Sequence, residues 1–371
     1  MIYIIVVFSS WILSLSGKLN SSIRIQRVFA LVLMLFLCFG YMTGSDWRSY
    51  ERTYEMNDMK YIIFSSTIEP GFYIYSLPFK YLNIEFWPFF IATKVILFVL
   101  IFMFIKKNFN VNIYSFWMLF LPFIGFFLFI DNPMRNFIAI VIFLLSFKYL
   151  INKSFFVYLG FALLAISFHF TAIIMFPVYY FANRRFKSKN IIIAFFIFSV
   201  IFSDQELIIS LISYGFSAFP FIGAKVQSYF FGDIDLFGSI YSFGLLFRVI
   251  LFLTIIFYRN LIESRLNHGK VVFNLAVIYM FFFRFGLTIS VLSRFSMYFS
   301  LFYILAIVSV IWFIENKFRA YFSLFLLALA LAISLPYLSN NKYVPYSNYL
   351  EYGVFKDYPS FDFRDQYNSR K

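Results

Sequence analysis

Apolar runs of helical length, separated by short polar or basic connectors, recur along almost the whole chain. A helix of about 20 apolar residues can cross the hydrocarbon core of a bilayer. The pattern predicts an all-α polytopic membrane protein with about twelve transmembrane helices, at residues 2–15, 28–43, 86–105, 114–130, 134–150, 155–168, 170–182, 191–203, 241–257, 271–287, 297–314 and 320–337. The short pair on either side of His169 has the alternative of a re-entrant hairpin.

One long polar stretch, residues 44–71, interrupts this pattern. Read as a helix, Asp46, Tyr50, Tyr54 and Asp58 recur every four residues and form one stripe. Such a segment is too polar to cross a bilayer. It can lie at the surface, with its aromatic rings at headgroup level, and present carboxylates to a polar ligand. The alternative is a solvated interfacial helix that only joins two spans.

The composition excludes a soluble protein, since 62% of the residues are hydrophobic, 25% aromatic and only 13% charged. The first fifteen residues lack a basic region and a small-residue cleavage site, so they are interpreted as a first span. With Cys38 as the single cysteine and two distant histidines, we expect no metal site and no cofactor. Neither glycine-rich nucleotide motif, GxxxxGK or GxGxxG, occurs, which argues against an ATP-driven pump. Since the positive charge belongs to a membrane protein, we expect no nucleic-acid partner.

The net charge of +14 matters through its distribution. Lysine and arginine concentrate in alternate connectors, which by the positive-inside rule face the cytoplasm. Of the 17 acidic residues only Glu263 and Glu315 lie in those connectors, which leaves 17 − 2 = 15 on or near the outer face. We therefore predict one transmembrane domain, residues 1–337, with outer loops at 44–85 and 204–240 and an extracytoplasmic tail at 338–371.

Four arginines lie in or at the outer ends of predicted spans: Arg135, Arg248, Arg284 and Arg294. An ionised side chain at such depth is costly and persists mainly where it faces a polar cavity. Because the guanidinium fork matches phosphate oxygens and keeps its charge, these residues predict a shared outer cavity for a phosphorylated ligand. Each has an alternative: Arg135 and Arg284 can reach lipid headgroups, and Arg248 can pair with a carboxylate or carbonyl.

Three further polar residues are candidates for chemistry. His169 lies between two apolar runs and is either a structural hydrogen-bonding residue or a proton carrier or phosphate contact. Asp131 and Arg135 are spaced i, i+4 and have the alternative of a simple ion pair. Glu69, in Glu69-Pro70-Gly71, reads as part of a turn, yet its carboxylate returns to the outer face close in sequence to Asp46, so either is a candidate general base.

The motifs that carry a family resemblance are GSDWRSY at 44–50 with Tyr54, EPGFYIYS at 69–76, PMRNFIAI at 133–140, SFHFTAIIMFPVYYF at 167–181 and LSRFSMYF at 292–299. In this order, over roughly residues 40–300, the chain resembles the EpsG family of bacterial polysaccharide polymerases, which is allied to the Wzy-type O-antigen polymerases. The resemblance implies a GT-C-like, metal-independent membrane glycosyltransferase that uses polyprenyl-phosphate-linked sugars at the outer face of the inner membrane.

The positions that match the family motifs are Asp46, Tyr50, Tyr54, Glu69, Arg135, His169 and Arg294. As implied by the resemblance, we expect Asp46, Glu69, Arg135, His169 and Arg294 to be catalytic. Tyr50 and Tyr54 are expected to bind substrate, and Arg248 and Arg284 are added to that group from the burial argument alone.

The expected reaction transfers a growing glycan from undecaprenyl pyrophosphate to the non-reducing end of a second lipid-linked repeat unit, as in O-antigen or exopolysaccharide synthesis. Expected partners are the lipid-linked donor and acceptor, membrane lipid and a chain-length regulator. One alternative is a flippase for lipid-linked oligosaccharide, which needs polar groups accessible from both faces and internal pseudo-symmetry. The other is a glycan ligase or an O-acyltransferase, and for the acyltransferase the only histidine on the cytoplasmic side, His268, lies in a basic loop.

Overall fold

The structure, a computed structural model, describes residues 1–16, 22–56, 69–203, 210, 243–289 and 292–355. Within those ranges the secondary structure is helical, with one isolated antiparallel bridge between Gly40 and Asn348. The predicted loop at 204–240, apart from residue 210, lies outside the described residues. So do Asp58 of the predicted stripe and the end of the tail, residues 356–371.

Seventeen α-helices follow one another along the described chain. They are α1 Ile2–Leu15, α2 Ile23–Cys38, α3 Trp47–Met56, α4 Gly71–Tyr81, α5 Phe86–Asn108, α6 Ile113–Phe120, α7 Met134–Ile151, α8 Phe155–Phe168, α9 Met175–Phe181, α10 Ser188–Ile201, α11 Phe243–Phe257, α12 Arg259–Arg265, α13 Gly269–Thr288, α14 Ser293–Phe313, α15 Asn316–Ser334, α16 Pro336–Ser339 and α17 Tyr349–Phe355. Helix α6 continues in π-helical turns, Leu121–Gly125 and Phe127–Asp131, and a 3₁₀ helix, Phe170–Ile174, precedes α9.

Each predicted span overlaps a described helix, but length separates the helices into two groups. Five are long and apolar enough to cross a membrane: α5, α7, α13, α14 and Lys317–Ser339. A sixth arises if α11 and α12, which are bent by 64°, form one span. The chain is thus an integral membrane protein. A 14-residue helix such as α1 or α8 is only about 21 Å long, against a hydrocarbon thickness of about 30 Å, so twelve crossings stay a prediction.

The described chain separates into two compact units. Unit 1 contains Met1–Tyr179, Leu266–His268 and Ile311–Lys371. In it, α1 packs on α6 and α15, and α7 packs on both α5 and α8. The core of unit 1 is aromatic, with the buried ring of Trp117 stacked 5.2 Å from that of Phe98. Since bulky rings are fully buried here, α5, α6 and α7 form a closely packed core next to the polar segment that precedes α3.

Unit 2 contains Tyr180–Arg265 and Gly269–Val310. Its helices α10 and α11 both pack on α13. Asn274 of α13 fixes the connector before α10, because its Nδ2 donates to the backbone oxygens of Ala182 (2.8 Å) and Arg184 (2.7 Å). A buried amide that satisfies two carbonyls lets this non-helical connector pack against an apolar helix.

The segment that leads into α3 is held by the C-terminal part of the chain. The backbone N–H of Tyr41 donates to Ser347 (2.9 Å), that of Gly44 to Lys342 (2.8 Å), and that of Tyr349 to Phe39 (2.7 Å). Three backbone hydrogen bonds with partners about 300 positions away fix a short extended stretch that would otherwise be free to move. The segment before α3 is therefore anchored by residues 342–349 of the C-terminal part of the chain.

Candidate active site

Asp46 lies at the start of α3, where its position is set by Gly44 and Asp131. Gly44 has φ +89°, and a Cβ there would lie 1.9 Å from the backbone oxygen of Ile130, so this close approach requires glycine. The backbone N–H of Asp46 donates to the backbone oxygen of Asp131 (3.2 Å). The Ser45 hydroxyl lies 2.9 Å from Oδ1 of Asp131 and 3.1 Å from Oδ1 of Asp46. The half-buried Asp46 carboxylate is therefore held close to Asp131, with the Ser45 hydroxyl between them.

Asp131 is in turn fixed by the C-terminal segment. The Tyr343 hydroxyl donates to its Oδ2 at 2.6 Å, and the Ser45 backbone N–H donates to its Oδ1 at 3.2 Å. Burial, with the adjacent Asp131 charge, raises the pKa of the Tyr343 phenol, so this hydroxyl stays a donor. The Asp131 carboxylate thus holds Ser45, two residues before the start of α3.

Arg135 and Glu69 form an ion pair, with Nη1 of Arg135 3.1 Å from Oε2 of Glu69. The Glu69 side chain is 8% exposed and that of Arg135 36% exposed. The other carboxylate oxygen, Oε1, accepts a hydrogen bond from the backbone N–H of Phe170 (2.8 Å). Because both oxygens of Glu69 already accept from donors, this carboxylate orients the guanidinium and is a poor proton acceptor.

The Glu69-Pro70-Gly71 sequence places this carboxylate by close packing. A Cβ on Gly71, the first residue of α4, would lie 2.7 Å from Oγ and 2.9 Å from the carbonyl carbon of Ser167 near the end of α8. Only glycine lets the start of α4 approach α8 this closely without a shift of one of them. Glu69 consequently lies next to the break between α8 and the 3₁₀ helix, where the N–H of Phe170 is available.

His169 is the extended residue at that break, with φ −152° and ψ 125°. Its Nδ1 accepts from the backbone N–H of Thr171 (3.3 Å) and lies 2.8 Å from the Thr171 hydroxyl. That hydroxyl also lies 3.3 Å from Oδ1 of Asn136, the residue after Arg135. Since a backbone N–H can only donate, Nδ1 is an acceptor, and the neutral imidazole carries its proton on Nε2.

The two tyrosines of the predicted stripe have different surroundings. The Tyr50 hydroxyl accepts from the backbone N–H of Arg135 (3.2 Å), and burial raises its pKa, so the phenol stays neutral. The Tyr54 side chain is buried, its hydroxyl donates to the backbone oxygen of Ile84 (2.6 Å), and its ring stacks 4.8 Å from that of Phe89. Tyr50 therefore belongs to the Arg135 cluster, whereas Tyr54 fastens α3 to α5.

The alternative of an Asp131–Arg135 ion pair is wrong. Asn132 has φ +64°, which ends the π-helical turn, and α7 begins afresh after Pro133. Residues 131 and 135 therefore do not lie on one helix, and the i, i+4 geometry is lost. Arg135 pairs with Glu69 instead, and Asp131 bonds to Ser45 and Tyr343.

Arg248 and Arg284 lie in unit 2, where each contacts groups of its own unit. Arg284 is 2% exposed and donates to the Thr288 hydroxyl (3.1 Å) and to the backbone oxygen of Ser199 at the end of α10 (3.1 Å). This burial excludes contact with lipid headgroups. Arg248 donates to the Tyr279 hydroxyl (3.1 Å), and its guanidinium carbon lies 4.2 Å from the centre of the Phe283 ring.

Arg294 is half-buried in the first turn of α14, also in unit 2. The predicted site thus divides by unit: Glu69, Arg135, His169 and Tyr50 are brought together in unit 1, with Asp46 on the helix that carries Tyr50. One cavity shared with Arg248, Arg284 and Arg294 stays a prediction. Among the described residues, no group of three or more His, Cys, Asp or Glu side chains is arranged to hold a metal ion.

Sequence reasoning missed the partners that orient the site. Thr171 follows His169 by two residues, a spacing at which a threonine hydroxyl commonly bonds to a nearby polar group, and this signal was available. Asn136 and Tyr343 carry no comparable signal, because their partners are 35 and 212 positions away.

Comparison with known protein families gives a match over most of the chain. The model of the EpsG family matches residues 23–350, which includes all of the candidate residues. No curated protein and no solved structure matches the chain.

Proposed function

We propose that this chain extends a lipid-linked glycan by whole repeat units. The chain belongs to the EpsG family and is therefore a polysaccharide-polymerase-like membrane protein. The donor is a growing glycan on undecaprenyl pyrophosphate, and the acceptor is a second lipid-linked repeat unit. The single observation that best supports this is the Arg135 guanidinium, oriented by Glu69 at the start of α7 and still 36% exposed.

The proposed step is a displacement at the anomeric carbon of the donor glycan. A hydroxyl of the acceptor's non-reducing sugar loses its proton to a base as its oxygen bonds to that carbon. The bond from the carbon to the pyrophosphate oxygen breaks, and its electron pair leaves with undecaprenyl pyrophosphate. The barrier therefore depends on how well the negative charge on the leaving group is stabilised.

Arg135 is proposed to bind the pyrophosphate and stabilise that charge. One nitrogen of the guanidinium is held by Glu69, and the remaining donors can contact phosphate oxygens bidentately. The residue also lies in the first turn of α7, where the helix dipole favours an anion. A cation whose orientation is already fixed needs little reorganisation as the charge develops.

His169 and Asp46 are proposed to act on protons. Because Nδ1 of His169 is occupied by Thr171, its Nε2–H is a donor suited to a phosphate or leaving-group oxygen. The Glu69 carboxylate is already bonded on both oxygens, which favours Asp46 as the base for the acceptor hydroxyl. Arg294, Arg248 and Arg284 are proposed as further contacts to the lipid-linked substrate, and Tyr50 as a contact that aligns Arg135.

The setting of the reaction is part of the proposal. The basic connectors favour a multi-pass protein of the bacterial inner membrane with its site facing the periplasm. Twelve crossings, a GT-C-like architecture and a mechanism without a metal belong to the same proposal, as does a chain-length regulator as a partner.

The test replaces Arg135 with alanine in cells that make the glycan. We expect long-chain glycan to disappear while single-repeat glycan and protein level are kept, because the leaving-group charge loses its counter-ion. Arg185→Ala, an exposed arginine of a predicted cytoplasmic connector, is the matched control. Unchanged chain length in Arg135→Ala cells would refute the assignment. Purified protein given only lipid-linked repeat units should form a ladder, and loss of substrate without a ladder would indicate a different reaction.

A further inference from the structure

Helix α3 borders a pocket that the proposed reaction has not yet used. The pocket has a volume of about 470 Å³, within the range of roughly 300–1,000 Å³ of small-molecule sites. It lies between α3, the end of α4 and the start of α5. Among the described residues, its lining is three glutamates, one lysine and three aromatic side chains: Glu51, Glu55, Glu85, Lys80, Tyr54, Phe86 and Trp87.

The charge of this pocket selects against anions. Three carboxylates face one ammonium, that of Lys80, whose Nζ donates to the backbone oxygen of Glu55 at 2.5 Å. Phosphate, pyrophosphate or a nucleotide would be repelled by the excess negative charge. Sugar hydroxyls are neutral donors, and carboxylates accept from them in charge-assisted hydrogen bonds. The pocket therefore suits the sugar part of a lipid-linked glycan, whereas Arg135 suits its pyrophosphate.

The apolar part of the lining supports the same ligand. Trp87 and Phe86 begin α5, line the pocket and are 9% and 5% exposed, so only a small part of each side chain is open to it. A sugar ring has apolar C–H faces between its hydroxyls, and an aromatic wall beside carboxylates matches both. Glu51 is half-buried, whereas Glu55 and Glu85 are exposed. Burial, followed by the nearby Glu55 charge, raises the pKa of Glu51.

One helix connects this pocket with the Arg135 cluster. Tyr50 of α3 accepts from the backbone N–H of Arg135, and Glu51, the next residue, lines the pocket. Tyr54, one helical turn after Tyr50, also lines the pocket, so the cluster and the pocket adjoin along α3. Both belong to unit 1. The arrangement gives a site for a phosphate and a site for a sugar on a common rigid element.

We infer that this pocket binds a non-reducing sugar of the acceptor repeat unit through its hydroxyls, with Glu51 and Glu85 as the main acceptors. The identification of that sugar as part of the acceptor rests on the proposed function, whereas binding of a neutral glycan to the pocket does not. None of the three glutamates is among the residues assigned above to the reaction.

The test measures binding to purified full-length protein in lipid nanodiscs. The probe is the oligosaccharide released by mild acid from the lipid-linked repeat units of the producing cells, which carries neither lipid nor phosphate. Glu51→Gln should weaken its binding about tenfold or more, the effect of losing a charge-assisted hydrogen bond. Glu85→Gln, at an exposed position, should do the same and serves if the first variant does not fold. Arg52→Gln, exposed on α3 and outside the lining, is the control.

The outcomes separate the pocket from the polymerase. If both glutamine variants bind the oligosaccharide as the wild type does, or if Arg52→Gln weakens it equally, the inference is overturned. If ladder formation is intact and the KM for the acceptor is unchanged in Glu51→Gln, the pocket is again excluded while the polymerase stands. If the wild type forms no ladder but loses oligosaccharide binding on Glu51→Gln, the pocket is supported and the polymerase fails.

Discussion

Glu69 was predicted from sequence as a candidate base, and its contacts instead predict an orienting role that a double-mutant cycle can measure. In Glu69→Gln the amide oxygen can keep the hydrogen bond from the Phe170 N–H, and the amide nitrogen then faces the Arg135 guanidinium. A donor replaces an acceptor at the 3.1 Å contact. Arg135 keeps its charge but loses the partner that holds it, so a partial loss of rate is expected.

The magnitude follows from the exposure of the pair. A hydrogen bond between charged groups is worth about 1.5–3 kcal/mol when buried, and a fully exposed ion pair about 0–1 kcal/mol. With Glu69 8% and Arg135 36% exposed, solvent screens the pair in part, and about 1–2 kcal/mol is the appropriate figure. This corresponds to a loss of roughly 5–30-fold in kcat/KM. Removing the cation itself, in Arg135→Ala, should cost about 10²–10³-fold, as for other charge-stabilising donors.

The assay is the rate of ladder growth from purified lipid-linked repeat units with detergent-solubilised protein. If Glu69 acts only through Arg135, the double variant should be no slower than Arg135→Ala alone, because the two residues act as a unit. Glu315→Gln, whose side chain is 72% exposed, is the control carboxylate. A double variant that shows the product of the two single effects, or a Glu69→Gln loss above about 10³-fold, would refute this reasoning and restore Glu69 as a base.

Two further predictions follow from close contacts. Gly44→Ala should lower the thermal unfolding temperature, because alanine at this positive φ costs about 1–2 kcal/mol and its Cβ would overlap the Ile130 carbonyl. The control is Gly160→Ala, in a helix with open space around it, which should be neutral or stabilising. Thr171→Val should lower kcat/KM about fivefold by removing the hydroxyl beside Nδ1 of His169, with Thr171→Ser restoring it; a Thr171→Val enzyme with wild-type rate would show that this hydroxyl does not matter.

Local physics explains which parts of the fold could be predicted from sequence. Every span predicted from an apolar run between polar connectors overlaps a helix of the structure. This is expected, because a segment in lipid must satisfy its backbone hydrogen bonds internally, as a helix does. The same runs do not fix the number of crossings. The apolar runs at α1 and α8 are 14-residue helices, and length alone does not decide whether such helices tilt, pair or re-enter.

Within the site, residue types were predictable and pairings were not. Arg135 was identified as an ionisable group too costly to bury without a purpose, and Glu69 as a turn residue whose carboxylate returns to the outer face. Their partnership spans 66 positions and depends on Gly71 packing against Ser167, which no spacing rule reveals. The i, i+4 rule instead suggested Asp131 as a partner, because it assumes one continuous helix.

The contacts also narrow the choice of base, which the sequence left open among Asp46, Glu69 and His169. A base needs a lone pair that points toward the substrate. Glu69 accepts from Arg135 and Phe170, and Nδ1 of His169 accepts from Thr171, so taking up a proton at either site would break a hydrogen bond already made. Protonation of Glu69 or of Nδ1 of His169 therefore costs hydrogen bonds that hold the cluster in place, which argues against either as the base and keeps Asp46 as the proposed one.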